Sequence, residues 1–198
     1  MINDSFDMDK TIMDLVINDD FTKKRDLAKR IREEAEKRGI YPASIYEFYM
    51  ARGRDEFSGF TVPAINIRSM TYDLARAIFR VAQKNNSAPF VFEIARSEIG
   101  YTDQAPIEYA SMVLAAAIKE GYSGPVFIQG DHFQVKVSKF EENPDEEIEN
   151  LKTLIKDSIS SGFYNIDIDS STLVDISKSS LKEQQRLNYE VCSKLTKF

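Results

Sequence analysis

Apolar and polar positions divide this chain into two regimes. Up to residue 58 the pattern is helical and highly charged. "TKKRDLAKRIREEAEKRG" spaces Leu27, Ile31 and Ala35 four residues apart, a narrow apolar stripe on a charged helix that Gly39 stops. "PASIYEFYMARG" predicts a second, shorter helix opened by Pro42 near its first turn and closed by Gly53. No Gly/Ser linker follows, so this helical extension packs on the rest of the chain.

From Phe60 the period changes. "FTVPAIN", "APFVFEIA", "GPVFIQGD" and "YNIDIDS" are short runs, nearly continuous in apolar character, as strands become when helices bury both sheet faces. Helical patterns separate them. "SMTYDLARAIFRVAQKNN" aligns Leu74, Ala75, Ile78, Phe79 and Ala82 on one face. "APIEYASMVLAAAIKEG" follows the second run. "NPDEE" opens the third helix, with Asn143 as cap, Pro144 in the first helical position and Glu146 reaching back. "SLKEQQRLNYEVCSKL" predicts one helix behind the box Ser180-x-x-Glu183, striped by Leu187, Val191 and Leu195.

Strand and helix thus alternate through four units, which predicts right-handed βα connections and a parallel sheet. Such units build either an open doubly wound sheet or half of a (β/α)₈ barrel, and periodicity does not choose between them. In both, chemistry gathers at the carboxyl ends of the strands. Those ends carry Asn66 and Arg68; Glu93, Arg96 and Ser97; Gln129, Asp131 and His132; and Asp167, Asp169, Ser170 and Ser171. Each has a plainer reading. Asn66 and Ser170 suit turns and caps, Arg96 can pair with Glu93 or Glu98, and a lone histidine is most often structural. "EENPDEE" reads as a solvated acidic loop and helix start. Lys136 and Lys139 sit in a polar loop where nothing would depress a lysine pKa.

Composition narrows the function classes. A net charge of −6 and a pI near 5.0 disfavour a nucleic-acid partner. No apolar run reaches the roughly 20 residues that span a bilayer. The N-terminal "MINDSFDMDK" is acidic and lacks a secretory pattern. The single Cys192 excludes an internal disulfide and fits a reducing, cytoplasmic setting.

The order "VPAIN", "PFVFEIA", "PVFIQGDH", "IDIDSS" resembles the N-terminal half of the class II, metal-dependent ketose-bisphosphate aldolases, across roughly residues 60–198. Its most specific element is the Asp-His pair ending the third run. The resemblance implies a (β/α)₈ TIM-barrel type, with this chain supplying the first four βα units (59–198) after an N-terminal helical extension (1–58). It implies that Asp131 moves the proton and that His132 is a zinc ligand. Asn66, Asp169 and Ser171 match substrate-side positions; Ala95 stands where the family usually offers a phosphate-side serine, and Arg96 and Ser97, which follow it, are substrate-binding candidates. "GDHF" departs from the commoner "TDHC" or "LDHG". The family's other two zinc histidines lie on later strands, and this chain has one histidine, whereas catalytic zinc uses three protein ligands. The expectation is therefore a zinc-dependent lyase acting on a phosphorylated sugar, incomplete and inactive alone, with weak zinc binding. Unpaired strand edges and an apolar inner face would favour self-association or a complementary C-terminal half. The rival readings are a non-catalytic aldolase-like binding or assembly subunit, and an unrelated open α/β binding domain.

Overall fold

The computed structural model describes residues 7–87 and 89–198. Residues 1–6, the first part of the acidic N-terminal stretch, and Ala88, in the expected second strand run, lie outside the described residues.

Two helices lead, α1 (Met8–Ile17) and α2 (Phe21–Lys37). The carboxylates of Asp7 and Asp20 cap them by accepting first-turn N–H groups that would otherwise be orphaned. Next come β1 (Ile40–Ala43) and α3 (Tyr46–Gly53). This corrects the wholly helical reading of the first 58 residues, because Pro42 lies inside a strand and opens no helix. The proline is tolerated there because β1 pairs with one neighbour only, among the described residues.

The alternating part follows as β2 (Ala64–Asn66), α4 (Thr71–Lys84), β3 (Val91–Ala95), α5 (Arg96–Thr102), α6 (Pro106–Lys119) and β4 (Gly124–Gln134). It continues with α7 (Val137–Glu142), α8 (Pro144–Ser161), β5 (Asn165–Asp169), a 3₁₀ turn at Ser171–Leu173, α9 (Leu181–Gln184) and α10 (Arg186–Thr196). Asn143 and Pro144 start α8 as expected. The single C-terminal helix expected from the pattern is instead two, with Gln185 between them.

All five strands are parallel. β2, β3, β4 and β5 lie side by side in chain order, and β1 shares one edge of the long β4 with β5. β1 takes Gly124–Phe127, and β5 begins at Gln129.

One face of this sheet is the core. Phe92, Ile94, Val126 and Ile128 are buried against Ile31 and Ala35 of α2, Phe79 of α4 and Tyr109 and Val113 of α6. Each such large apolar side chain contributes roughly 1.5–3 kcal/mol by leaving water. A second cluster joins Phe133 and Val135 to Leu151 and Ile155 of α8 and Val191 and Leu195 of α10. Ala75, Phe79 and Ala82 of the expected α4 stripe are buried, while Leu74 is exposed.

The other face carries Val91 and Phe127 near the strand starts and turns polar toward the strand ends. In register, Asn66, Glu93, Gln129 and Asn165 form one row across four strands. The core cluster lies on one face and not on both, and the inner face expected to be apolar is polar over its strand-end half. Runs such as "VFEIA" look continuous, yet side chains alternate across a strand, and Glu93, Gln129 and Asn165 fall on the same side.

Candidate functional site

The site begins with an irregularity in β4. Between Gly130 and Phe133 the strand advances three residues while its partner β5 advances two, from Ile166 to Ile168. The extra residue makes a β-bulge, a feature that re-aims side chains beside functional sites. His132 takes the strain, with φ at 42° in the left-handed region, which costs a non-glycine residue on the order of 1 kcal/mol. The fully buried Phe133 holds the bulge in place. Its ring lies so close over Gly130 that a Cβ there would come within 2.5 Å of it, so position 130 needs glycine. In a regular strand Asp131 and His132 would face opposite sides. Here both line one cavity of about 340 Å³.

β5 contributes the third group. The His132 N–H donates to Asp167 Oδ2 at 3.2 Å, and His132 Nδ1 lies 3.6 Å from Asp131 Oδ2. One potential ligand atom from each of Asp131, His132 and Asp167 lies within 4.8 Å of the others. Burial pushes the Asp131 carboxyl up, as do the nearby charges of Asp167 and Glu98, against the opposing pull of His132. Burial also raises Glu93, helped by the Asp131 charge.

Around this lies a layer of committed polar groups. Glu98, in the first turn of α5, is buried and accepts from the Ala95 N–H, Asn66 Nδ2 and Arg68 Nε. Burial alone would raise its carboxyl, but these donors outweigh it and hold it below the ordinary range. Asn66 lines the cavity, and its Oδ1 is buried without a hydrogen-bond partner among the described residues. An orphaned acceptor costs about 1–3 kcal/mol, which a donor group on a bound molecule would offset.

Arg96 pairs with neither Glu93 nor Glu98. Its guanidinium grips both carboxylate oxygens of Glu147 and donates to the Gln134 carbonyl. The Glu147 side chain is 1% exposed, so the "EENPDEE" segment is not simply a solvated face. Burial works against the Glu147 charge, yet Arg96 and the Lys136 N–H hold its carboxyl below the usual value.

Of the residues predicted from sequence, the fold brings Asn66, Arg96, Ser97, Asp131 and His132 to one cavity. Asp169 and Ser171 do not line it. Asp169 instead accepts from the Ser171 N–H and hydroxyl and from Gln134 Nε2, and these bonds outweigh burial to keep its carboxyl low. Three groups were underweighted. Asp167, alternate to Asp169 along β5, is the carboxylate that joins the cluster. Glu93, a strand end in the sequence, stands on the polar row with its carboxyl raised. Glu98 carried one usable signal, an acid at the third position of a helix that starts directly after a strand. Lys136 lines the cavity, while Lys139 pairs with Glu142.

No family model matches this chain, and no curated protein matches it. The fold is an α/β architecture on a five-stranded parallel sheet, and the site is a carboxylate–histidine cluster at the strand ends. No helix among the described residues is long and apolar enough to cross a membrane.

Proposed function

We propose that the chain is the first half of a (β/α)₈ barrel of the class II aldolase type, a carbon–carbon lyase acting on a phosphorylated ketose. The observation that carries this reading is the bulge that sets Asp131 and His132 beside Asp167 at the carboxyl ends of adjacent parallel strands. Strand order supports the barrel. A doubly wound sheet reverses its order and covers both faces, whereas β2 to β5 run in chain order with their core on one face.

One imidazole and two carboxylates fit a divalent metal such as zinc, with His132 and Asp167 as holders. Such an ion supplies Lewis acidity at a substrate carbonyl. Asp131, half-buried and raised, carries the proton to and from the developing alkoxide. Asn66 offers its unpaired Oδ1 to a substrate hydroxyl. Glu98 and Glu147 hold Asn66 and Arg96 in position. A second reading, a non-catalytic aldolase-like subunit, is favoured by Arg96, whose charge is spent on Glu147.

Zinc titration against a competing chelator tests the proposal. Wild type binds weakly, less tightly than micromolar; His132→Ala abolishes binding, Asp167→Asn weakens it and Asp131→Asn retains it. In a version with the complementary half present, Asp131→Asn loses turnover of a ketose bisphosphate while keeping its metal. Zinc binding indifferent to His132 overturns the metal assignment. Full turnover without Asp131 overturns its role, and absent turnover despite bound metal favours the second reading.

A further inference from the structure

A second cavity, of about 470 Å³, opens between α2, α6 and the last turn of α8. No residue lines both it and the strand-end cavity. Its wall carries Arg25, Lys29 and Arg32 from α2, the hydroxyls of Thr22, Ser111, Ser160 and Ser161, and one acid, Asp26. The three cations stand four and three residues apart, on one side of the helix beside the buried stripe of Ala28, Ile31 and Ala35. In a chain of net charge −6, three cations against one acid reverse the local sign.

What distinguishes Arg25 and Arg32 is that neither is paired with a carboxylate among the described residues. Arginines elsewhere in the fold are held by carboxylates: Arg76 and Arg80 by Glu120, Arg68 by Glu98 and Arg96 by Glu147. Arg25 makes no ion pair or hydrogen bond among the described residues. Arg32 reaches only the Ser160 carbonyl, at 3.4 Å. Lys29 lies 3.9 Å from Glu33, with both side chains mostly exposed. At the start of the same helix Lys23 lies 3.9 Å from the capping Asp20, and Lys24 meets Glu108 of α6 at 2.7 Å. Carboxylates thus balance Lys23 and Lys24 at the helix start but not Arg25 and Arg32 on the cavity wall, which leaves their charge for an anion.

We propose that this cavity binds a phosphorylated small molecule, at a site separate from the strand ends. Two guanidinium forks match pairs of phosphate oxygens, and the Lys29 ammonium adds a point charge. Ser111, Ser160 and Ser161 already give their hydrogens to the Ile107 and Asp157 carbonyls, so the cations and the Thr22 hydroxyl are the donors. The volume lies within the roughly 300–1,000 Å³ of small-ligand pockets, and the overall negative charge disfavours a nucleic-acid strand. This inference stands whether or not the aldolase reading holds.

Calorimetric titration with inorganic pyrophosphate at fixed ionic strength tests it. Wild type shows saturable binding to one site. Arg25→Gln and Arg32→Gln each weaken it about tenfold, the loss of one charge-assisted contact. Arg186→Gln, an exposed arginine paired with Glu190 on α10, leaves it unchanged. Circular dichroism confirms that the helices persist in each variant. Absence of saturable binding, unchanged affinity in Arg25→Gln and Arg32→Gln, or an equal loss in Arg186→Gln overturns the proposal.

Discussion

The two faces of the sheet, one residue apart along each strand, follow different rules. Ile128 points into the apolar core and is 0% exposed, while its neighbour Gln129 lies on the polar row and donates to Glu93 at 3.2 Å. The first face is held by packing density, where the loss of a methyl group leaves a void. The second is held by partial burial and hydrogen bonds, and it keeps polar atoms within reach of a ligand. The fold places stability on one side and chemistry on the other, with the bulge at residues 130–133 joining them.

Ile128→Ala sharpens that contrast most. It should cost about 2–5 kcal/mol, measured as a lowered denaturation midpoint, through lost burial plus the cavity left behind. A loss below about 1 kcal/mol would mean that this face is not the core.

The polar side is not uniformly tolerant, and Glu147→Gln probes its rim. The change leaves the Arg96 guanidinium, 13% exposed, without its counter-charge, at a cost of about 1–3 kcal/mol near neutral pH. The folded-state carboxyl is held low, so its contribution is present above the unfolded-state pKa and disappears as pH falls through the folded one. Wild type and variant should therefore converge in stability in acid. Divergence on acidification would exclude this ion pair as the source.

Gly130→Ala tests the joint between the faces. The added methyl meets the Phe133 ring, and overpacking of this kind costs about 1–3 kcal/mol. It should also disturb the His132 amide resonance, since the bulge depends on that ring's position. Gln129→Ala should have the smallest effect, under about 1 kcal/mol, from one half-buried hydrogen bond. If it matched Ile128→Ala, the comparison between faces would fail.

The sequence by itself determined the alternation of strands and helices from Phe60 onward, because hydrophobic periodicity is a local property of the chain. It determined the start of α8 at Asn143 and Pro144 for the same reason, since a cap needs only its own first turn. It also located Asn66, Arg96, Ser97, Asp131 and His132, because parallel strands deliver their ends to one rim. Tertiary structure alone decided the rest. β1 is too short to show a period, and its pairing with residues 124–127 spans more than eighty positions of chain. Asp167 joins His132, and Asp169 does not, because a one-residue slip between β4 and β5 sets which carboxylate faces the bulge. Arg96 meets Glu147 across a separation of 51 residues. Pairings of that kind depend on how elements pack in space, and no local pattern of side chains records them.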